Sequence, residues 1–229
     1  MIGMSLINEL GERAKKAEKI IATAPAKLKN EALSAIARAI KEKSQLIIAQ
    51  NSIDIKNAIS NDMSVSMQDR LLLNEARIKS ISDAVLQIVK LEDPVGAPIG
   101  GTVRPNGLRI TKIRVPLGTI GIIYESRPNV TVDAAALCLK TGNAVILKGG
   151  KEAFNSNKCL VDIMREAVES VGLPADIIQY VSDTSREATL ELMKCNKYID
   201  VLIPRGGAGL IKAGVFKVNR LFYKNLAAG

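Results

Sequence analysis

The sequence predicts an α/β fold, a Rossmann-like parallel sheet with crossover helices, preceded by N-terminal helices. Three observations carry that expectation. First, in Val115–Gly150 two short apolar runs, GTIGIIYE (Gly118–Glu125) and NAVILK (Asn143–Lys148), flank a segment dense in good helix formers. Their Ile and Val content, bounded by Gly and Pro, is that of strands buried on both faces. Second, strand and helix patterns keep alternating beyond this unit, as crossover connections of a parallel sheet require. Third, that alternation is absent before about residue 100, where apolar residues recur every three or four positions instead.

Taken in order, Ser5–Thr23, Ala26–Ala58 and Ser66–Leu91 read as helices, with a break expected near Asn51 and punctuation at Pro25 and Asn61-Asp62. Glu92–Gly101, EDPVGAPIGG, reads as an exposed connector, and Leu108–Pro116 alternates like a strand. A strand over Gly118–Glu125 follows, then a helix over Asp133–Lys140 that Thr141-Gly142-Asn143 stops, then a strand over Ala144–Lys148. The remainder reads as helix Glu152–Val171, strand Ile177–Val181, helix Ser185–Cys195 and strand Ile199–Ile203. Residues 1–212 are expected to form one nucleotide-binding domain, mainly helical over 1–100 and α/β over 101–212, with 213–229 an atypical tail.

Composition narrows the function. A chain of 229 residues, 47% hydrophobic and 24% charged, suits a soluble globular protein that buries a sizeable core. No run of about 18 uncharged apolar residues suggests a membrane span, and Met1–Lys19 lacks the apolar region of a signal peptide, so a cytoplasmic location is expected. Three cysteines, Cys138, Cys159 and Cys195, fit neither a disulfide framework nor metal-ligand spacing. The net charge is +9, but the lysines are spread along helices and aromatics are only 3%, so an anionic small molecule is expected rather than nucleic acid. With no histidine in the chain, the commonest general base and metal ligand is missing.

Three turns carry the functional signal. Lys148-Gly149-Gly150 ends a buried strand before a helix, which would aim backbone N–H groups and the positive helix end at a ligand. Pro204-Arg205-Gly206-Gly207-Ala208-Gly209 follows the last strand in the same way, its glycines permitting close approach and its Arg offering a fork for phosphate. Ser126-Arg127-Pro128-Asn129 follows the first strand of the sheet. All three belong at the carboxyl ends of parallel strands, where open α/β sheets bind ligands. No GxGxxG or P-loop motif identifies the ligand.

YESRPNVT (Tyr124–Thr131), DAAALCLKTGNAVILKGG (Asp133–Gly150) and IPRGGAGLI (Ile203–Ile211) resemble γ-glutamyl phosphate reductase, or glutamate-5-semialdehyde dehydrogenase, of the aldehyde dehydrogenase superfamily. The resemblance runs from the N-terminal helices to about Lys212. It implies reduction of L-glutamyl 5-phosphate by NADPH to L-glutamate 5-semialdehyde, NADP⁺ and phosphate, a step of proline biosynthesis. In that family a cysteine thiolate displaces phosphate, and hydride reduces the resulting thioester. Carried over residue by residue, Lys148 looks like the strand-end lysine that holds the adenosine ribose or its 2′-phosphate. Gly149 and Gly150 continue that turn, and Arg205, Gly206, Gly207 and Gly209 resemble the glycine turn beside the dinucleotide. Arg127 is implied for the substrate's anionic groups, and Asn129 for an oxyanion donor, a role that Ser126 takes instead in an alternative register around Pro128. The resemblance also implies a homo-oligomer for full-length members.

The match also exposes a departure. The family's nucleophilic cysteine belongs to a Gly-Asn-Cys-His-type segment beyond the IPRGG motif, in a catalytic domain that this sequence does not reach. Ala213–Gly229 departs from the family pattern and reads as out-of-frame sequence after a frameshift, or as an unrelated end. Cys138 reads as a buried apolar residue, and Cys159 and Cys195 lack a neighbour that would lower their pKa. The expectation is therefore a nucleotide-binding half whose alternative role is non-catalytic NADP(H) binding or pairing with a full-length subunit.

Overall fold

The computed structural model describes residues 5–207. Gly209 and the tail from Ala213 onward lie outside the described residues. Five helices come first: α1 (Leu6–Ile21), α2 (Ala26–Glu42), α3 (Ser44–Ser60), α4 (Val65–Leu71) and α5 (Glu75–Lys90). A hairpin of β1 (Pro98–Val103) and β2 (Arg109–Ile113) follows, and then the α/β unit: β3 (Thr119–Tyr124), α6 (Pro128–Lys140), β4 (Ala144–Lys148), α7 (Phe154–Glu169), β5 (Ile178–Tyr180), α8 (Arg186–Lys194) and β6 (Val201–Arg205).

β3, β4, β5 and β6 form a parallel sheet in the order β5-β4-β3-β6. The chain steps outward from β3 to β4 to β5, then returns across the sheet to place β6 against the other side of β3. Reversing direction with connections of one hand moves the crossover helix to the opposite face. Two cores result, separated by the period of two along each strand. Ile120, Ile122, Val145, Leu147 and Ile178 join a cluster with α2, α5, α6 and α7, through residues such as Leu33, Ile36, Val85, Leu139 and Leu160. Ile123, Ala144, Ile146 and Leu202 face the other way, onto Ile7, Leu10 and Ala14 of α1 and Leu192 and Met193 of α8. The change of pattern near residue 100 is thus no seam in the core: α2 and α5 pack into the same cluster as the sheet.

The expected helical and strand order holds, with four adjustments. The helix expected to break near Asn51 breaks at Lys43 instead, and α3 runs through Asn51. Asn51 is buried and fully engaged: its Nδ2 donates to Leu71 O (2.9 Å) and Ser156 Oγ (3.0 Å), and its Oδ1 accepts from Leu73 N (2.7 Å). A polar residue that reads as a helix breaker is here the inner-face anchor of a tertiary network. Ser66–Leu91 divides into α4 and α5 at Leu72–Asn74, where Asn74 Oδ1 caps α5 by accepting from Arg77 N (2.9 Å). The connector contains a strand, since β1 pairs antiparallel with β2 from Pro98 onward, and every residue of that hairpin is exposed. The crossover helix begins at Pro128 rather than Asp133, because proline suits the first helical position while the following Val130-Thr131-Val132 hides the helical pattern.

Among the described residues, no helix is long and apolar enough to cross a membrane, and no cluster of three or more His, Cys, Asp or Glu side chains could hold a metal ion.

Candidate functional site

The reversal of strand order puts the switch point between β3 and β6, and a crevice opens at the carboxyl ends of strands at such a point. Three residues, Glu125-Ser126-Arg127, link β3 to α6, and Arg205 stands opposite Tyr124 in the β3–β6 register. Glu125 bridges the two loops, its Oε1 accepting from Gly207 N at 2.7 Å. A Cβ on Gly206 would lie 2.6 Å from that same oxygen, so a larger residue here would push the Glu125 side chain out of its present position.

Two clefts open here. One, of about 400 Å³, is lined by Arg70, Tyr124, Glu125, Arg127, Val130, Arg205 and Gly206. The other, of about 480 Å³, runs along α5 and takes in Asp69, Arg70, Arg77, Ser80, Ala84, Arg127, Asn129 and Asp133. Asn129 and Asp133 face each other one turn apart on α6, with Asn129 Nδ2 donating to Asp133 Oδ2 at 3.3 Å. A bond that long exchanges readily for a better acceptor. Burial raises the Asp133 carboxyl above the usual carboxylate range, against the lowering effects of Asn129 and of the Arg205 charge. Ser126 Oγ turns toward the β4 side and donates to Glu152 Oε2 at 3.1 Å. Of the two residues considered as oxyanion donors, Asn129 therefore shares a cleft with Arg127, and Ser126 does not.

A buried polar chain holds this floor in place. The Tyr124 hydroxyl lies 2.7 Å from Thr131 Oγ1, which donates to Asn157 Oδ1 at 2.8 Å. It ties the end of β3 to the first turns of α6 and α7. Burial pushes the Tyr124 phenol far up, so it stays a neutral hydrogen-bonding group.

At the end of β4 the structure revises the sequence reading. The positive end of α7 is not open to a ligand, because a carboxylate of the protein already occupies it. Asp54 of α3, 2% exposed, accepts from Ser156 N (2.8 Å), Ser156 Oγ (2.6 Å), Asn155 N (3.2 Å) and Asn155 Nδ2 (2.8 Å). A short 3₁₀ turn, Lys151–Ala153, further separates Gly150 from the helix. Gly149 is buried beneath the crevice, where a Cβ would run into the Asn157 amide nitrogen and lie 3.3 Å from Tyr124 Cε2. Its glycine is required by packing. Gly149→Ala is expected to cost about 1–3 kcal/mol as overpacking of a closed site, measured by chemical denaturation; no change would show that the Asn157 amide moves aside freely. Gly150 is half-buried beside Ser126 and Glu152.

Lys148 is buried to 3% exposure, and its Nζ donates to Asp183 O (2.8 Å) in the loop after β5. Burial pulls its ammonium below the usual lysine range, against the pull of Asp183. Ser182 and Thr184, flanking that carbonyl, line a third cleft of about 810 Å³ with Lys151, Glu152, Phe154, Asn155 and residues of α3 and α4. The candidate residues thus divide: Arg127, Asn129, Arg205, Gly206 and Gly207 gather at the β3–β6 switch, while Lys148 serves the β4–β5 side and Ser126 and Gly150 sit between. Arg70, Glu125 and Asp133 were not foreseen. Arg70 is a charged residue on a seven-residue helix, and no local pattern links it to a loop more than fifty positions away.

All three cysteines are buried. Burial pushes the Cys138 thiol up to about 12, and it is the leading cause that raises Cys159 and Cys195 as well.

Residues 3–208 match the aldehyde dehydrogenase family. The chain is similar to the gamma-glutamyl phosphate reductase of Clostridium perfringens, with 53% identity over 211 residues, 91% of this chain and 51% of that protein. It is 52% identical over 212 residues to the enzyme of that name from Carboxydothermus hydrogenoformans, covering 93% of this chain and 51% of the relative. Among solved structures, gamma-glutamyl phosphate reductase from Thermotoga maritima superposes with a TM-score of 0.93 at 38% identity, covering 95% of this chain and 53% of that one. The protein of the same name from Saccharomyces cerevisiae gives 0.89 at 27% identity, over 98% and 57%. The chain spans about half the length of the curated relatives it matches.

Proposed function

The chain belongs to the aldehyde dehydrogenase family, and from that premise we propose that residues 1–212 form the NADP(H)-binding domain of a γ-glutamyl phosphate reductase. The reaction it serves is the NADPH-dependent reduction of L-glutamyl 5-phosphate to L-glutamate 5-semialdehyde. The observation that carries this reading is the convergence of two motif loops, Tyr124–Thr131 and Ile203–Gly207, on the β3–β6 switch, joined there by Glu125 and Gly207.

The residues present fit a dinucleotide. Lys148 is a buried cation with one N–H donated to Asp183 O and two left for an acceptor. The third cleft, lined by Ser182 and Thr184 on either side of the residue whose carbonyl Lys148 binds, is of a size suited to a nucleotide moiety. Gly206 and Gly207, lacking side chains, bring the backbone of the β6 turn against Glu125 at the mouth of the crevice. NADP(H) would be held by Lys148 and this glycine turn, with Gly150 and Arg205 beside it, and when bound supplies the hydride. Gly149 supports the floor through packing. The protein's own groups then act on the acyl phosphate: Arg127 attracts its anionic end, and Asn129, released from Asp133, donates to the acyl oxygen as negative charge grows there.

A second reading is favoured by the cysteines. The chain's three thiols are buried and raised in pKa, so the chain itself serves as a binding unit, NADP(H)-binding or subunit-pairing, with the nucleophile supplied from elsewhere. Thermal unfolding with added NADP⁺ tests the shared premise. A ligand at one hundred times its Kd stabilises by about 2.7 kcal/mol, roughly 5–10 °C for a domain of this size. A rise with NADP⁺ exceeding that with NAD⁺ is expected; no rise with either dinucleotide would sink the domain assignment and the NADP(H)-binding form of the second reading.

A further inference from the structure

The two clefts at the switch point share two residues, Arg70 of α4 and Arg127 of the β3–α6 loop. The carboxylates around them are engaged elsewhere. Asp69 pairs with Arg77 at 2.8 Å, Glu125 accepts from Gly207 N, and Asp133 accepts from Asn129. Arg77 is further tied down by the backbone, donating to Asp69 O and to Leu72 O (2.9 Å). Among the described residues, the guanidinium groups of Arg70 and Arg127 are in no hydrogen bond or ion pair. Two uncompensated cations on one cleft wall repel each other and add nothing to stability, so their placement is accounted for by an anion that both can reach. The planar fork of a guanidinium matches a carboxylate or phosphate with two parallel bonds.

We propose that Arg70 is a specificity-determining residue that binds the non-reacting carboxylate of an acidic acyl phosphate, while Arg127 faces its phosphoryl end. The assignment of ends follows from the clefts. The smaller one continues to Arg205 and Gly206 beside the glycine turn, and Arg127 sits on the β3–α6 loop that Glu125 ties to that turn, so the reacting carbon belongs next to Arg127. Arg70 approaches from the helical side, along with Arg77, Ser80 and Ala84, and takes the end of the substrate that projects away from the sheet. This inference rests on the proposed reading of the switch point as the place where acyl phosphate and cofactor meet.

The test is calorimetric titration of the full chain with two stable phosphonates. L-2-amino-5-phosphonopentanoate carries an α-carboxylate; butylphosphonate carries the same anionic end without it. The amino-acid phosphonate is expected to bind about 10- to 100-fold more tightly, the range of one charge-assisted bidentate contact. Arg70→Met is expected to abolish that ratio and leave butylphosphonate binding unchanged, with Arg70→Lys keeping part of it. Arg70 is exposed on α4, so an unaltered melting midpoint without ligand is expected of both variants. Equal affinity of the two phosphonates for the unaltered protein, or no binding of either, would overturn the proposal. So would a loss of butylphosphonate affinity in Arg70→Met equal to that of the amino-acid phosphonate. Stabilisation by NADP⁺, followed in the same variants, reports separately on the cofactor reading: retained while the phosphonate ratio fails, it leaves that reading standing without Arg70.

Discussion

Replacing Asp54 by alanine is expected to destabilise the protein by about 3–4 kcal/mol, the combined scale of a lost helix cap and of buried donors left unsatisfied. The side chain is 2% exposed and accepts four hydrogen bonds, two from the backbone N–H groups of Asn155 and Ser156 and two from their side chains. Water cannot replace those bonds at a buried position, and the first turn of α7 would lose the negative charge that complements its dipole. Asn51 would also be disturbed, since it shares Ser156 with Asp54. Asp54→Asn keeps one accepting oxygen and is expected to fall between the two. Urea denaturation of the three proteins measures the series; an alanine variant within about 0.5 kcal/mol of the parent would mean that α7 is capped by other means.

The second large effect is catalytic. Purified chain supplied with NADPH and L-glutamyl 5-phosphate is expected to show no NADPH oxidation above the rate without protein. A thioester-forming mechanism needs a thiolate, and burial pushes the Cys138 thiol up to about 12, which keeps it protonated at neutral pH. Cys159 and Cys195 are also buried and raised. No histidine is present in the chain to take a proton from any of them. Turnover by protein of verified mass, lost on mutation of one of these cysteines, would refute the expectation and identify the nucleophile at once.

The order of elements in the α/β half was legible because it rests on local signals. Continuous Ile and Val runs in Gly118–Glu125 and Ala144–Lys148 report strands covered on both faces, and both are. What stayed hidden depends on contacts between distant segments. Asn51 and Asp54 look like solvent-facing polar residues, and only the packing of α3 on α7 shows them as buried anchors. That same contact closes the helix end that the Lys148-Gly149-Gly150 turn appeared in sequence to leave open. The candidate site was legible in part. Arg127, Asn129 and Gly206 lie in motifs that announce themselves; Arg127 lines both clefts at the switch, Asn129 the one along α5 and Gly206 the other. Arg70, Glu125 and Asp133 contribute to that crevice through the strand order, which no local pattern encodes.

That strand order also sets a schedule for synthesis. β3 is complete at Tyr124, but its second neighbour in the sheet begins only at Val201. At about 5–20 residues per second, the ribosome leaves one edge of β3 without its partner for roughly 4–15 s. During that interval TIGIIY, a mostly apolar strand with every residue destined for burial, exposes a row of open backbone groups of the kind that recruits other chains. The crevice at the switch point is accordingly the last part of the sheet to close, and the nascent chain is most prone to aggregate just before it does.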